Sequence, residues 1–193
     1  FRVLATQSER PEITEIYFRD GDIGPKDLDA IAIGPYFGYE LGTPENADRV
    51  RKMSLDDLFR ELESATIPEA FSYVTQQVEI ARNYELPVIA YEGGQHLVDA
   101  SPLGGGEAQK NSEQMNLLFD AANRDSRMGR LYSSYLKSWS EITGGQLFVH
   151  LMNCGNFGSG RWGTLEYLDQ PRAEAPKYDA LMRWIEDESP KET

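Results

Sequence analysis

Only one cysteine, Cys154, and two histidines, His96 and His150, occur in the 193 residues. A lone thiol closes no intrachain disulfide, which removes the covalent framework of small secreted domains without assigning a compartment. Residues this few and this dispersed do not make a zinc site, so no metal and no cofactor is expected, although a carboxylate-built cation site stays open. Basic charge is scarce as well: 19 Lys and Arg stand against 32 Asp and Glu, for a formal net charge of −13. A chain so acidic repels phosphate backbones and anionic lipid surfaces, which argues against nucleic acid and membrane as partners. No apolar run approaches the roughly 18 residues that a membrane-spanning helix needs. Fixed-period repeats and low-complexity linkers are also missing, so residues 1–193 read as one unit. The triplet Gly104-Gly105-Gly106 follows no strand pattern and lacks the Lys-Ser/Thr of a phosphate loop; it reads as a turn.

What remains is 40% hydrophobic and 11% aromatic, enough for a substantial core. Four nearly continuous apolar runs, Arg2 to Thr6, Asp29 to Gly34, Pro87 to Glu92 and Gln146 to Met152, have the character of strands covered on both faces. Helical periodicity lies between them. A weak stripe covers Pro11 to Arg19. A second helix opens at Ser54, where Asp57 completes a capping box ahead of Leu55, Leu58, Phe59 and Leu62. A third starts near Pro68. The longest runs from about Asn111 to Glu141 and stops at Gly144-Gly145, and a last one spans Pro176 to Asp187 before an acidic, frayed end. Alternation of strand and helix predicts an α/β fold with parallel strands. The long irregular segments, Pro35 to Met53, Gly93 to Lys110 and Asn153 to Pro176, all follow strand ends, whereas the returns from helix to strand are short. Chemistry is therefore expected at the carboxyl ends of the strands.

Glu92 closes the run Pro87-Val88-Ile89-Ala90-Tyr91-Glu92, and Gly93-Gly94 behind it lets another group approach closely. It reads either as a catalytic carboxylate or as a Glu that caps the next segment or pairs with an Arg. Tyr91 and His96 flank it; His96 suits orienting a carboxylate or binding a hydroxyl, or else is a satisfied structural residue. The second run ends Gly34-Pro35-Tyr36-Phe37-Gly38-Tyr39, aromatics amid glycines that suit stacking on a ring and bonding hydroxyls, or filling a loop core. After the fourth, Asn153 and Trp162 offer an amide and a flat apolar surface, while Trp139 and Trp184 lie on helical stripes and belong to the core. A Cys154–His150 nucleophile pair is excluded, because i and i+4 on a strand lie about 13 Å apart.

These strand mouths, with the closing stretch Trp162 to Leu181, resemble the large clan of retaining glycoside hydrolases built on (β/α)8 barrels, and match its last four strands. The resemblance implies a fold of four parallel βα units, the C-terminal half of a TIM barrel. It implies Glu92 as the nucleophile that ends the seventh strand, Tyr36 as the tyrosine that hydrogen-bonds it, and Trp162 as the aromatic that floors the sugar site. Phe37, Tyr91, His96 and Asn153 are then further substrate contacts. The expected activity is hydrolysis of β-glycosidic bonds of a poly- or oligosaccharide by double displacement. A retaining enzyme needs a second carboxyl about 5–5.5 Å from the nucleophile. In this clan it stands at the end of the fourth strand, and the chain begins at Phe1-Arg2-Val3, the counterpart of the fifth. Four βα units also leave two sheet edges open, where a whole barrel takes about 250 residues. The expected partners are thus a carbohydrate substrate and the N-terminal half of a barrel, as a separate chain, a missing segment or a second copy. Glu40, Asp99, Glu107 and Glu166 are the candidate substitutes for the absent acid. The acidic surplus favours a neutral sugar unless Arg127, Arg130 or Arg161 forms a local basic patch. Two other readings stay open: a non-catalytic carbohydrate-binding protein on the same scaffold, and an α/β domain that binds a small metabolite or a protein.

Overall fold

The computed structural model describes residues 1–21, 24–100, 107–158 and 160–188. Along the chain, β1 (Val3–Ala5) leads into α1 (Pro11–Asp20), and β2 (Ala30–Ile33) into the two-residue β3 (Tyr36–Phe37). A 3-10 turn over Tyr39–Gly42 precedes α2 (Pro44–Val50), α3 (Leu55–Glu61) and α4 (Ile67–Arg82). Then come β4 (Val88–Ala90), β5 (Gly94–Gln95), α5 (Glu107–Arg124), α6 (Ser126–Thr143), β6 (Met152–Cys154), β7 (Gly163–Leu165) and α7 (Pro176–Glu188). The fold is mixed α/β, and every strand pair is parallel.

The central sheet has the order β1-β2-β4. The fourth expected strand joins it through a single parallel bridge, Ala90 with Phe148, supported by Ala90 N to Leu147 O at 2.9 Å and Val149 N to Ala90 O at 3.1 Å. Gln146 to Met152 is thus a shorter strand than its composition predicts, because it lies at the sheet edge with a neighbour on one side only. Register puts Ile31, Ile33, Val88 and Ala90 on one face, packed with Phe59, Phe71, Val74, Tyr135 and Trp139 in the main core. Ala30, Ala32 and Ile89 occupy the opposite face as a separate small cluster. That face is open at its sides, where Val3, Leu147 and Val149 are exposed.

The capping box at Ser54 forms as expected: its hydroxyl accepts from Asp57 N at 3.1 Å, and Asp57 Oδ2 accepts from Ser54 N at 3.2 Å. Helices α3 and α4 run on from one another through five π-helical residues, Leu62–Thr66, and Pro68 sits in the first turn of α4. The single long helix predicted after Asn111 is two helices. Asp125, in extended backbone, interrupts it and caps α6 by accepting from Arg127 N at 2.9 Å. The stop at Gly144-Gly145 holds, with both glycines left-handed at φ 74° and 78°. Helix α2 lies where an irregular segment was predicted, started by Pro44. The last helix runs to Glu188, and Glu186 pairs with Arg172 at 2.6 Å; 189–193, the rest of the stretch from Glu186 expected to fray, lie outside the described residues. Gly104 to Gly106 lie outside the described residues.

A buried polar knot fastens the loop after β1. Gln77 of α4, fully buried, donates to Gln7 O at 2.9 Å and Ser8 O at 3.3 Å and accepts from the Thr14 hydroxyl at 2.8 Å. Gln77→Leu would leave Ser8 O without its donor, while Gln7 O keeps Arg10 N at 3.2 Å and the Thr14 hydroxyl keeps Thr6 Oγ1 at 3.0 Å, so it is expected to cost about 1–3 kcal/mol in urea denaturation. A loss under about 0.5 kcal/mol would show that the knot adds nothing to stability.

Candidate functional site

At their carboxyl ends β2 and β4 part and then pair again. Tyr91 N still reaches Ile33 O at 3.1 Å, but the next contacts are the short β3–β5 ladder, Tyr36 with Gly94 and Phe37 with Gln95, extended by His96 N to Phe37 O at 2.8 Å. The gap between the two pairings opens around Gly34. A Cβ placed there would lie 3.4 Å from Tyr36 Cε2, 3.5 Å from Glu92 Cγ and 3.5 Å from Tyr91 Oη. Three side chains, one from β3 and two from just past β4, therefore converge on Gly34.

Within this cluster the Tyr36 phenol lies beside the half-buried Glu92 carboxylate, whose charge acts on it. Burial, and then the adjacent Glu92 charge, push the Tyr36 phenol well up, so it keeps its proton as a donor. Burial, followed by Glu92 and Glu9, also raises Tyr91, whose ring is about half exposed. His96 sits among three aromatic rings: Tyr36 at 5.3 Å, Tyr39 at 5.3 Å and Trp162 at 5.7 Å between centroids. Burial holds its imidazole below the ordinary value despite the opposing pull of Glu9 and Glu92, which keeps it neutral at pH 7. His96 Nδ1 and Trp162 Nε1 are both buried without a hydrogen-bond partner. Orphaned polar atoms of this kind are rare in a settled core and collect at sites that a ligand or another segment completes.

Behind the cluster runs a chain of fixed bonds. Gln95 N donates to Tyr132 Oη at 3.0 Å, and Tyr132 Oη meets His150 Nε2 at 3.1 Å. His150 Nδ1 meets Met152 O at 3.2 Å and Met152 N at 3.4 Å; the shorter contact is the one a neutral ring makes with its proton on Nδ1. Burial, aided by the positive charge of Lys177, pushes the His150 imidazole down to about 4, in keeping with that neutral tautomer.

Glu92, Tyr36, Tyr91, His96 and Trp162 are thus brought together. Phe37 and Asn153 are not. Phe37 is 1% exposed and packs on Tyr132 and Tyr135, because its strand turns it inward into the core. Asn153, on β6, instead lines a cavity of about 380 Å³ with Phe148, His150, Trp139 and Trp184. Two of the candidate replacement acids are engaged elsewhere, Glu166 with Arg124 at 2.9 Å and Asp99 with Ser112, whereas Glu40 Oε1 is buried without a hydrogen-bond partner. Glu40 is raised mainly by burial, then by the charges of Glu69 and Glu61. The Glu107 side chain lies outside the described residues. Nor do the arginines make a basic patch here. Arg127 pairs with Asp125 and Asp56, Arg161 is buried against Asp120, and Arg130 belongs to a groove between α6 and α7.

The sequence reading passed over Glu9, whose charge acts on Tyr73, Tyr91 and His96. It stands four residues beyond the end of β1, on the loop that Gln77 fastens, and the same rule about strand ends would have found it. Among the described residues no group of three or more His, Cys, Asp or Glu is arranged to hold a metal ion. Comparison with protein-family models, with curated proteins and with solved structures returns no match.

Proposed function

We propose that the protein is a retaining β-glycosidase in which Glu92 is the nucleophile and this chain supplies the C-terminal half of a (β/α)8 barrel. One observation carries the reading: Glu92, Tyr36 and Tyr91 converge around Gly34 at the carboxyl ends of two adjacent parallel strands. A carboxylate held there beside a protonated phenol is placed for attack on an anomeric carbon. Glu9 adds a second negative charge beside the aromatic mouth, which favours the oxocarbenium character of the transition state. His96 and Trp162 offer a neutral hydrogen-bonding ring and an apolar face to a neutral sugar.

The half-barrel reading is supported by strand order. The segments β1, β2, β4 and Phe148 lie side by side in chain order, all parallel, with no reversal of the kind that marks doubly wound sheets. The open flanks at Val3, Leu147 and Val149 mark where further strands would pair, and those strands would bring the acid/base.

The test is trapping by a panel of 2,4-dinitrophenyl 2-deoxy-2-fluoroglycosides. Dinitrophenolate leaves without a proton, so the reaction needs the nucleophile and no general acid, and the fluorine slows release of the glycosyl-enzyme. Mass spectrometry of the digested protein should place one sugar on Glu92. A label on another carboxylate, or none across the panel, would overturn the assignment.

A further inference from the structure

The turn that carries Trp162 is held from behind by groups that the chemistry above does not use. Arg161 is 3% exposed and sits in the left-handed region at φ 56°, a strained setting for a side-chain-bearing residue. Gly160 before it cannot bear a Cβ, which would fall 2.1 Å from the Trp162 ring. Two donors meet on the Arg161 carbonyl oxygen: Gln95 Nε2 at 2.7 Å and the ammonium of Lys177. The other end of the Gln95 amide accepts from Leu97 N at 2.7 Å, so it also clamps the backbone on both sides of His96. Lys177 is 1% exposed, donates to Asn123 Oδ1 at 2.7 Å and lies 4.9 Å over the Phe157 ring. Its hydrogen bonds go to neutral oxygens, in a setting where an ammonium is normally matched by a carboxylate.

We infer that Gln95 and Lys177 are positioning residues: meeting on the Arg161 carbonyl, they hold the strained turn that sets the Trp162 ring against His96 at the Glu92 mouth. The functional weight of this device rests on the sugar-site reading above, but its geometry does not. The charge on Lys177 makes its bond to the carbonyl stronger than a neutral amine would. Burial pushes that amine down to about 7, the Arg161 guanidinium acts in the same direction, and Glu166 opposes it. The other charged groups around it are spoken for: Asp120 by Arg161, Glu166 by Arg124, and His150 by its neutral bonds. Loss of the Lys177 proton near neutral pH therefore loosens the turn, and the Trp162 ring should register it.

The experiment uses the full chain grown with 5-fluorotryptophan, which gives three ¹⁹F resonances, for Trp139, Trp162 and Trp184; Trp162→Phe assigns one of them. The Trp162 resonance is expected to titrate with a midpoint near pH 7, while the other two stay level across that range. Lys177→Met should displace the Trp162 resonance and abolish its titration, and Lys177→Arg, which keeps the charge, should abolish the titration alone. Asn123→Asp, which gives the ammonium a carboxylate, should move the midpoint up by about one pH unit or more. A titration that survives in Lys177→Met, or a Trp162 resonance indifferent to both Lys177→Met and Gln95→Ala, overturns the inference. No sugar enters this measurement. Sugar trapping at Glu92 with an unmoved Trp162 would sink the positioning role alone, whereas a responsive Trp162 without trapping would sink the glycosidase reading alone.

Discussion

Glu92→Gln is expected to lower turnover of a β-glycoside by about a thousandfold or more with the fold intact, which corresponds to at least about 4 kcal/mol of lost transition-state stabilisation. The amide is nearly isosteric, so the convergence with Tyr36 and Tyr91 around Gly34 should persist and thermal unfolding should shift little. What disappears is the charge that forms the covalent bond and supports the oxocarbenium centre. Glu92→Ala sharpens the test: added azide, small enough to enter the vacated space, should restore cleavage of a dinitrophenyl glycoside and give a glycosyl azide of inverted configuration. Turnover within tenfold of the parent in purified Glu92→Gln would show that Glu92 is not the nucleophile, whatever its geometry.

Gly94→Ala is expected to be strongly destabilising. Gly94 holds φ at 127°, a region closed to alanine without strain of about 1–3 kcal/mol. Its Cβ would also stand 2.7 Å from Tyr132 Oη and 2.9 Å from His150 Nε2, inside the contact distance of both. Tyr132 is 1% exposed and cannot swing into solvent, so the hydroxyl must give up its bonds to Gln95 N and His150. Strain and overpacking together should remove about 4 kcal/mol, or about 10 °C of melting temperature in a chain of this size. The β3–β5 ladder, which starts at Gly94, would lose its register with Tyr36. Calorimetry reads the effect directly, and a melting temperature within about 2 °C of the parent would mean that the packing around Gly94 is looser than the distances state.

The elements that were legible in the sequence are those whose signal is local. The Ser54–Asp57 box, the left-handed stop at Gly144-Gly145 and the apolar runs that became β1, β2 and β4 each depend on a few neighbouring residues. The long predicted helix failed at Asp125 because periodicity continues across a cap, and only the reversal of chain direction exposes the break. Phe37 failed for a related reason. A two-residue strand has too little pattern to reveal which way its side chains face, and the outcome was set by Tyr132 and Tyr135, almost a hundred positions away.

The sequence by itself determined that the molecule is an acidic α/β protein with parallel strands, that its loops gather at the strand ends, and that Glu92 stands at one of those ends beside glycine. Burial alternation, capping and glycine placement act over one turn or one strand, so they survive in a linear reading. Tertiary structure alone decided that Tyr36 reaches Glu92, that Glu9 lends its charge to the same mouth, and that Gln95 and Lys177 meet on one carbonyl behind Trp162. Those contacts join residues up to about 90 positions apart. They exist because parallel strands bring distant loops to one edge of the sheet, and no spacing along the chain records which loops will meet.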